Sequence, residues 1–65
     1  RVTANVYDRG GRLVRRLFAG SLPAGPRTLT WDGRDDGGRA AASGVYLVRV
    51  AAGEEEAVQK VTLAR

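Results

Sequence analysis

Glycine and proline set the rhythm of this 65-residue chain. Nine glycines and two prolines separate short runs rich in Val, Thr and Tyr that recur roughly every ten residues, the spacing of an all-β domain. No segment keeps a helical apolar period over the ~10 to 12 residues that a helix needs. The spacing therefore predicts short, mainly antiparallel strands joined by tight turns.

In the first strand, near residues 1–7, Val2, Ala4 and Val6 alternate with Thr3, Asn5 and Tyr7, which gives one buried face. Asp8-Arg9-Gly10-Gly11 supplies a turn able to take positive φ. The run Arg12 to Phe18 alternates imperfectly, which predicts a bulge or an edge position. Arg15 and Arg16 are adjacent, so they point to opposite faces and cannot both be buried unpaired; they fit an edge. Residues 19–26 form a connection, because Pro23 and Pro26 lack the donors a strand interior needs, and Leu22 is its apolar anchor. A third strand is expected over Arg27 to Trp31, with Leu29 and Trp31 on the core side. Residues 32–44 make a glycine-rich loop with room for a short strand at Arg39 to Ala42. Val45 to Ala51 carries apolar residues on both faces and suits a central strand. Residues 52–55 turn it back into a last strand from Glu56 to Ala64, with Val61 and Leu63 inward and Lys60 and Thr62 outward. Residues 1–65 read as one domain, with no linker, low-complexity tract or internal repeat.

The core available to this sheet is thin. Ten of the apolar residues are Ala, which leaves 18 large side chains, with Trp31 the largest. The expected core is Trp31, Tyr46, Val48, Val50, Val61 and Leu63. Cys and His are both absent, so no disulfide, ordinary zinc cage, Cys nucleophile or imidazole base can form. No apolar run approaches the ~18 residues of a membrane span. The lack of Met and an opening Arg1-Val2-Thr3 already in strand pattern lead us to expect a piece cut from a longer polypeptide.

Ala24-Gly25, then Trp31-Asp32-Gly33-Arg34-Asp35, Gly38, Ser43-Gly44-Val45-Tyr46 and Lys60-Val61 together resemble the Ig-like domain first named from FlgD, the flagellar hook-capping protein. The pattern is also similar to C-terminal domains of secreted bacterial proteins, including type IX secretion sorting domains. The resemblance runs from Val2 to Leu63. It implies a small Ig-like β-sandwich of five to seven short strands, at the end of an exported protein and without catalytic activity. Its motif positions, Gly25, Trp31, Asp32, Gly33, Gly38, Gly44, Tyr46 and Lys60, are expected to be structural. Mechanics alone supports several of these: Asp32 can accept backbone N–H groups as an Asx turn, the glycines permit positive φ, and Trp31 and Tyr46 combine wide apolar area with a polar tip.

Three sharper chemistries stand beside the hydrogen-bonded turn. Asp32, Asp36 and Gly37 match part of a calcium-loop frame, but Arg34 stands where a ligand belongs and Ser43 where the closing bidentate Glu belongs. Asp32, Asp35 and Asp36 are thus the carboxylates a hard cation would use, while turn formation is the expectation and no metal or cofactor is assigned. Paired carboxylates can do acid and base work, yet Asp35 and Asp36 are adjacent and Glu54, Glu55 and Glu56 sit at a hairpin tip, so no enzyme is expected. A net charge of +4 and a pI near 10.7 raise nucleic acid as a partner, but the arginines are dispersed and only four aromatics are present, so a binding face of that kind is not expected.

The leading expectation is a noncatalytic module of an exported, extracellular or cell-surface bacterial protein, serving sorting, attachment or assembly. Its partners would be secretion or attachment machinery, other domains of its parent protein, or copies of itself, met through residues 45–64. The alternatives are a self-associating building block of a fibre or sheath, and a flagellar hook-cap scaffold domain.

Overall fold

The computed structural model describes residues 1–21 and 30–64. Within them lie four strands, β1 (Val2–Tyr7), β2 (Leu13–Gly20), β3 (Gly44–Ala52) and β4 (Glu55–Leu63). They form one antiparallel sheet in the order β2-β1-β3-β4. The all-β expectation holds, with four strands among the described residues rather than five to seven. The expected third strand and the turn at Gly25 fall largely on residues 22–29, outside the described residues, as does the Leu22 anchor. Thr30 and Trp31 are described and lie outside any strand. The short strand expected at Arg39 to Ala42 reduces to a single bridge between Arg34 and Ala40.

The alternation of β1 is realised in its burial. Ala4 and Val6 have no exposed surface, and Tyr46 on β3 is 7% exposed. Val6 sits opposite Val48 and Ala4 opposite Val50, so the even-numbered side chains of β1 and β3 share the core face. Trp31, Val48, Val50, Val61 and Leu63 are half-buried rather than buried. The deepest positions therefore lie in the two central strands, Ala4 and Val6 on β1 and Tyr46 on β3, where neighbouring strands exclude water from both sides. Trp31 reaches the core from outside the sheet.

β2 shows why its alternation is imperfect. The β1 register passes from Ala4 opposite Phe18 to Asn5 opposite Arg16, and from Val6 opposite Arg15 to Tyr7 opposite Leu13. Leu17 and Val14 are thus extra residues, and two bulges place this strand at the sheet edge. Arg16 is exposed, whereas half-buried Arg15 donates from Nη1 to the carbonyl of Asp35 at 3.1 Å.

β3 occupies the central position expected of it, between β1 and β4. Gly53 (φ +61°) opens the two-residue turn that joins it to β4. On the sheet face opposite the core, Leu13 is 38% and Val58 56% exposed.

Candidate functional site

The segment from Trp31 to Tyr46 gathers most of the motif residues, and it is built as a small hairpin laid against the sheet. Ala41 N–H donates to the carbonyl of Gly33 (2.8 Å), Arg34 bridges Ala40, and Asp35 N–H donates to the carbonyl of Arg39 (2.8 Å). Its base is fixed by the two aromatics. Trp31 and Tyr46 meet edge to face with ring centroids 5.0 Å apart, a geometry that aligns a ring edge with a π face. Each also uses its polar tip, Trp31 Nε1 donating to the carbonyl of Arg34 (2.9 Å) and the Tyr46 hydroxyl to the carbonyl of Ala42.

Asp32 makes the expected Asx turn, its Oδ1 accepting the N–H of Arg34 at 3.0 Å. Asp35 Oδ1 accepts from Gly37 N–H and Arg39 N–H, each at 2.9 Å. Asp36 Oδ1 faces the other way and accepts the N–H of Arg16 on β2 at 3.0 Å, while Asp36 N–H donates to the carbonyl of Val14 at 3.1 Å. The three carboxylates thus each accept backbone amides. Among the described residues no group of three His, Cys, Asp or Glu side chains is arranged to hold a metal.

The turn at the tip has a twin. Asp8-Arg9-Gly10-Gly11-Arg12 and Asp35-Asp36-Gly37-Gly38-Arg39 share the pattern Asp-x-Gly-Gly-Arg. In the first, Asp8 Oδ1 accepts from Gly10 N–H (2.9 Å) and Arg12 N–H (3.0 Å), Asp8 N–H donates to the carbonyl of Arg12 (2.9 Å), and Gly11 N–H donates to the carbonyl of Asp8 (3.0 Å). Every one of these bonds recurs at 35–39, including Gly38 N–H to the carbonyl of Asp35 at 3.0 Å. The fourth residue holds φ +86° at Gly11 and +83° at Gly38, a region a side chain enters at a cost. Turn residues are readable in both places without the repeat, for which the shared five-letter pattern is the signal.

The remaining motif residues are spread over the sheet. Gly44 begins β3 opposite Leu63, and Lys60 lies exposed on β4 opposite Leu47. Gly25 is outside the described residues. On the face away from the core, Arg49 Nη2 and Glu56 Oε2 form an exposed ion pair. Its hydrogen bond to the Glu56 carboxylate, and then that carboxylate's charge, hold the Arg49 guanidinium above its ordinary range. A pair this exposed contributes little to stability. Among the described residues no helix is long and apolar enough to cross a membrane.

The family model described as the FlgD Ig-like domain matches residues 1–56. The basal-body rod modification protein FlgD of Salmonella typhimurium is 42% identical over 52 residues, covering 80% of this chain, and that of Salmonella typhi matches equally. The Escherichia coli protein of the same name is 40% identical over 52 residues, again 80% of this chain. The chain spans 22% of the length of each of these relatives. No solved structure matches at a significant level.

Proposed function

The chain belongs to the FlgD Ig-like domain family, and from that premise we propose that it is a noncatalytic scaffold module of the flagellar rod and hook-cap apparatus, acting outside the cell by holding neighbouring proteins in place. The observation that carries this reading is the match over residues 1–56 joined to 42% identity with a basal-body rod modification protein. The side chains support it too. Trp31, Asp32, Asp35, Asp36 and Tyr46 all bond to this chain's own backbone, which makes them fold determinants in this reading. What the module offers partners is then its sheet face, its strand edges and its turns. The relatives favour scaffolding over the sorting and surface-attachment reading.

A chimera tests the proposal. Residues 1–65 replace the matching 52-residue segment of the Salmonella typhimurium relative, in a strain lacking its own copy. Hooks and motility are expected to return. A chimera that is made, folded and exported yet leaves the cells without hooks overturns the scaffold reading.

A further inference from the structure

The two edges of the sheet are treated differently. β2 carries two bulges and takes the Asp35–Arg39 turn against its outer side. β4 runs nine residues in unbroken register with β3, from Glu55 opposite Ala52 to Leu63 opposite Gly44. It has no proline, and among the described residues no strand pairs with its outer side. A long, regular edge with no strand paired to it among the described residues is a template for another strand.

The turn before β4 fixes which of its backbone groups face outward. Ala52 and Glu55 flank the two-residue turn Gly53-Glu54, so they are the hydrogen-bonded pair that closes the hairpin. Antiparallel alternation then turns the N–H and C=O of Glu56, Val58, Lys60 and Thr62 away from β3. These four side chains share one face, and Val58 among them is 56% exposed.

We propose that β4 pairs with the β4 of a second copy of this chain, antiparallel about a two-fold axis through Val58. That register sets Val58 against the partner's Val58, and Glu56 and Lys60 against the partner's Lys60 and Glu56. Neighbouring registers lose this match. With the axis at Gln59, Glu56 faces Thr62 and Lys60 faces Val58; with the axis at Lys60, two lysines meet; with the axis at Ala57, Glu56 faces Val58. The Val58 axis alone among these pairs both charges and the exposed apolar side chain, and directly opposed pairs are what stabilise a sheet. Counted over the described strands, the product is an eight-stranded sheet whose outer edges are the two bulged β2 strands, each docked by an Asp35–Arg39 turn, so association closes at two copies. Neither the edge geometry nor the charge register draws on the flagellar relatives.

Sedimentation of the 65-residue chain from micromolar to millimolar concentration tests this. A monomer–dimer equilibrium is expected. Lys60→Glu places carboxylates opposite each other at both ends of the pairing and should weaken association by about tenfold or more. Lys60→Gln, which removes attraction without adding repulsion, should fall between. Glu56→Lys, which also removes the exposed ion pair with Arg49, should likewise weaken self-association, and an equimolar mixture of it with Lys60→Glu should recover the dimer, because opposite charges then meet at both ends. A monomer throughout the range, a dimer indifferent to Lys60→Glu, or a mixture that stays monomeric overturns the proposal.

Discussion

The turn at residues 8–12 and the turn at residues 35–39 have the same internal hydrogen bonds and the same positive-φ glycine, yet they do different work. The first joins β1 to β2, and its variable residue, Arg9, is exposed. The second joins no two neighbouring strands of the sheet. Its variable residue, Asp36, takes the Arg16 amide, its own amide reaches Val14, and the Asp35 carbonyl accepts from Arg15. One local code thus serves as a connector in one place and as a cover for a sheet edge in the other. The Asp, the two glycines and the backbone bonds specify the turn; the position between them specifies what the turn meets.

If docking adds to the second turn, removing the same side chain from each should have unequal effects. Asp8→Ala leaves two amides to find water and should cost about 1 kcal/mol. Asp35→Ala removes the same two bonds and also slackens the tip that holds β2, so it should cost about 2 kcal/mol. Urea unfolding of the two variants measures the difference, and equal values would mean that docking contributes nothing. Gly11→Ala and Gly38→Ala sharpen the other half of the comparison. Both glycines are at φ near +85° with no atom close to an added Cβ, so each substitution should cost about 1 kcal/mol through backbone strain alone. The two values should agree within a few tenths of a kcal/mol. A clear gap in melting midpoint would show that the turns are not locally equivalent.

Much of this arrangement was legible in the residues. The alternation of Val2, Ala4 and Val6 gave the buried face of β1, the two-faced apolar run at 45–51 gave a central strand, and the broken alternation around Arg15 and Arg16 gave a bulged edge. Those features depend on neighbours in sequence. The depth of Trp31 did not follow: side-chain size suggests the centre of a core, but Trp31 lies outside the sheet, half-buried, and its ring packs edge to face on Tyr46. The docking of Asp36 was equally hidden. It depends on an edge strand 20 residues away, whose Arg16 N–H and Val14 carbonyl face outward from β2, and no local pattern at 35–39 encodes that. The aspartates of the loop read as possible cation ligands because composition reveals charge but not direction; in the structure, Oδ1 of each points at backbone amides.

The smallest effect isolates the one residue by which the turns differ. Asp36→Ala removes the acceptor for Arg16 N–H while leaving all bonds internal to the turn, so it should cost about 0.5 to 1 kcal/mol. Arg9→Ala, at the equivalent place in the turn at residues 8–12, should stay within about 0.5 kcal/mol of no change. Global stability alone would separate these poorly, but amide exchange separates them well. The Arg16 amide lies on an edge strand and is held by Asp36 Oδ1, so Asp36→Ala should speed its exchange while the Gly37 and Arg39 amides, held by Asp35, keep their protection. Asp36→Asn then decides between charge and geometry. Asn retains an acceptor oxygen, so protection at Arg16 should largely survive if the hydrogen bond is what docks the turn. If Asn behaves like Ala, the carboxylate holds β2 through its charge on the neighbouring arginines, and covering the edge becomes an electrostatic effect that added salt would weaken.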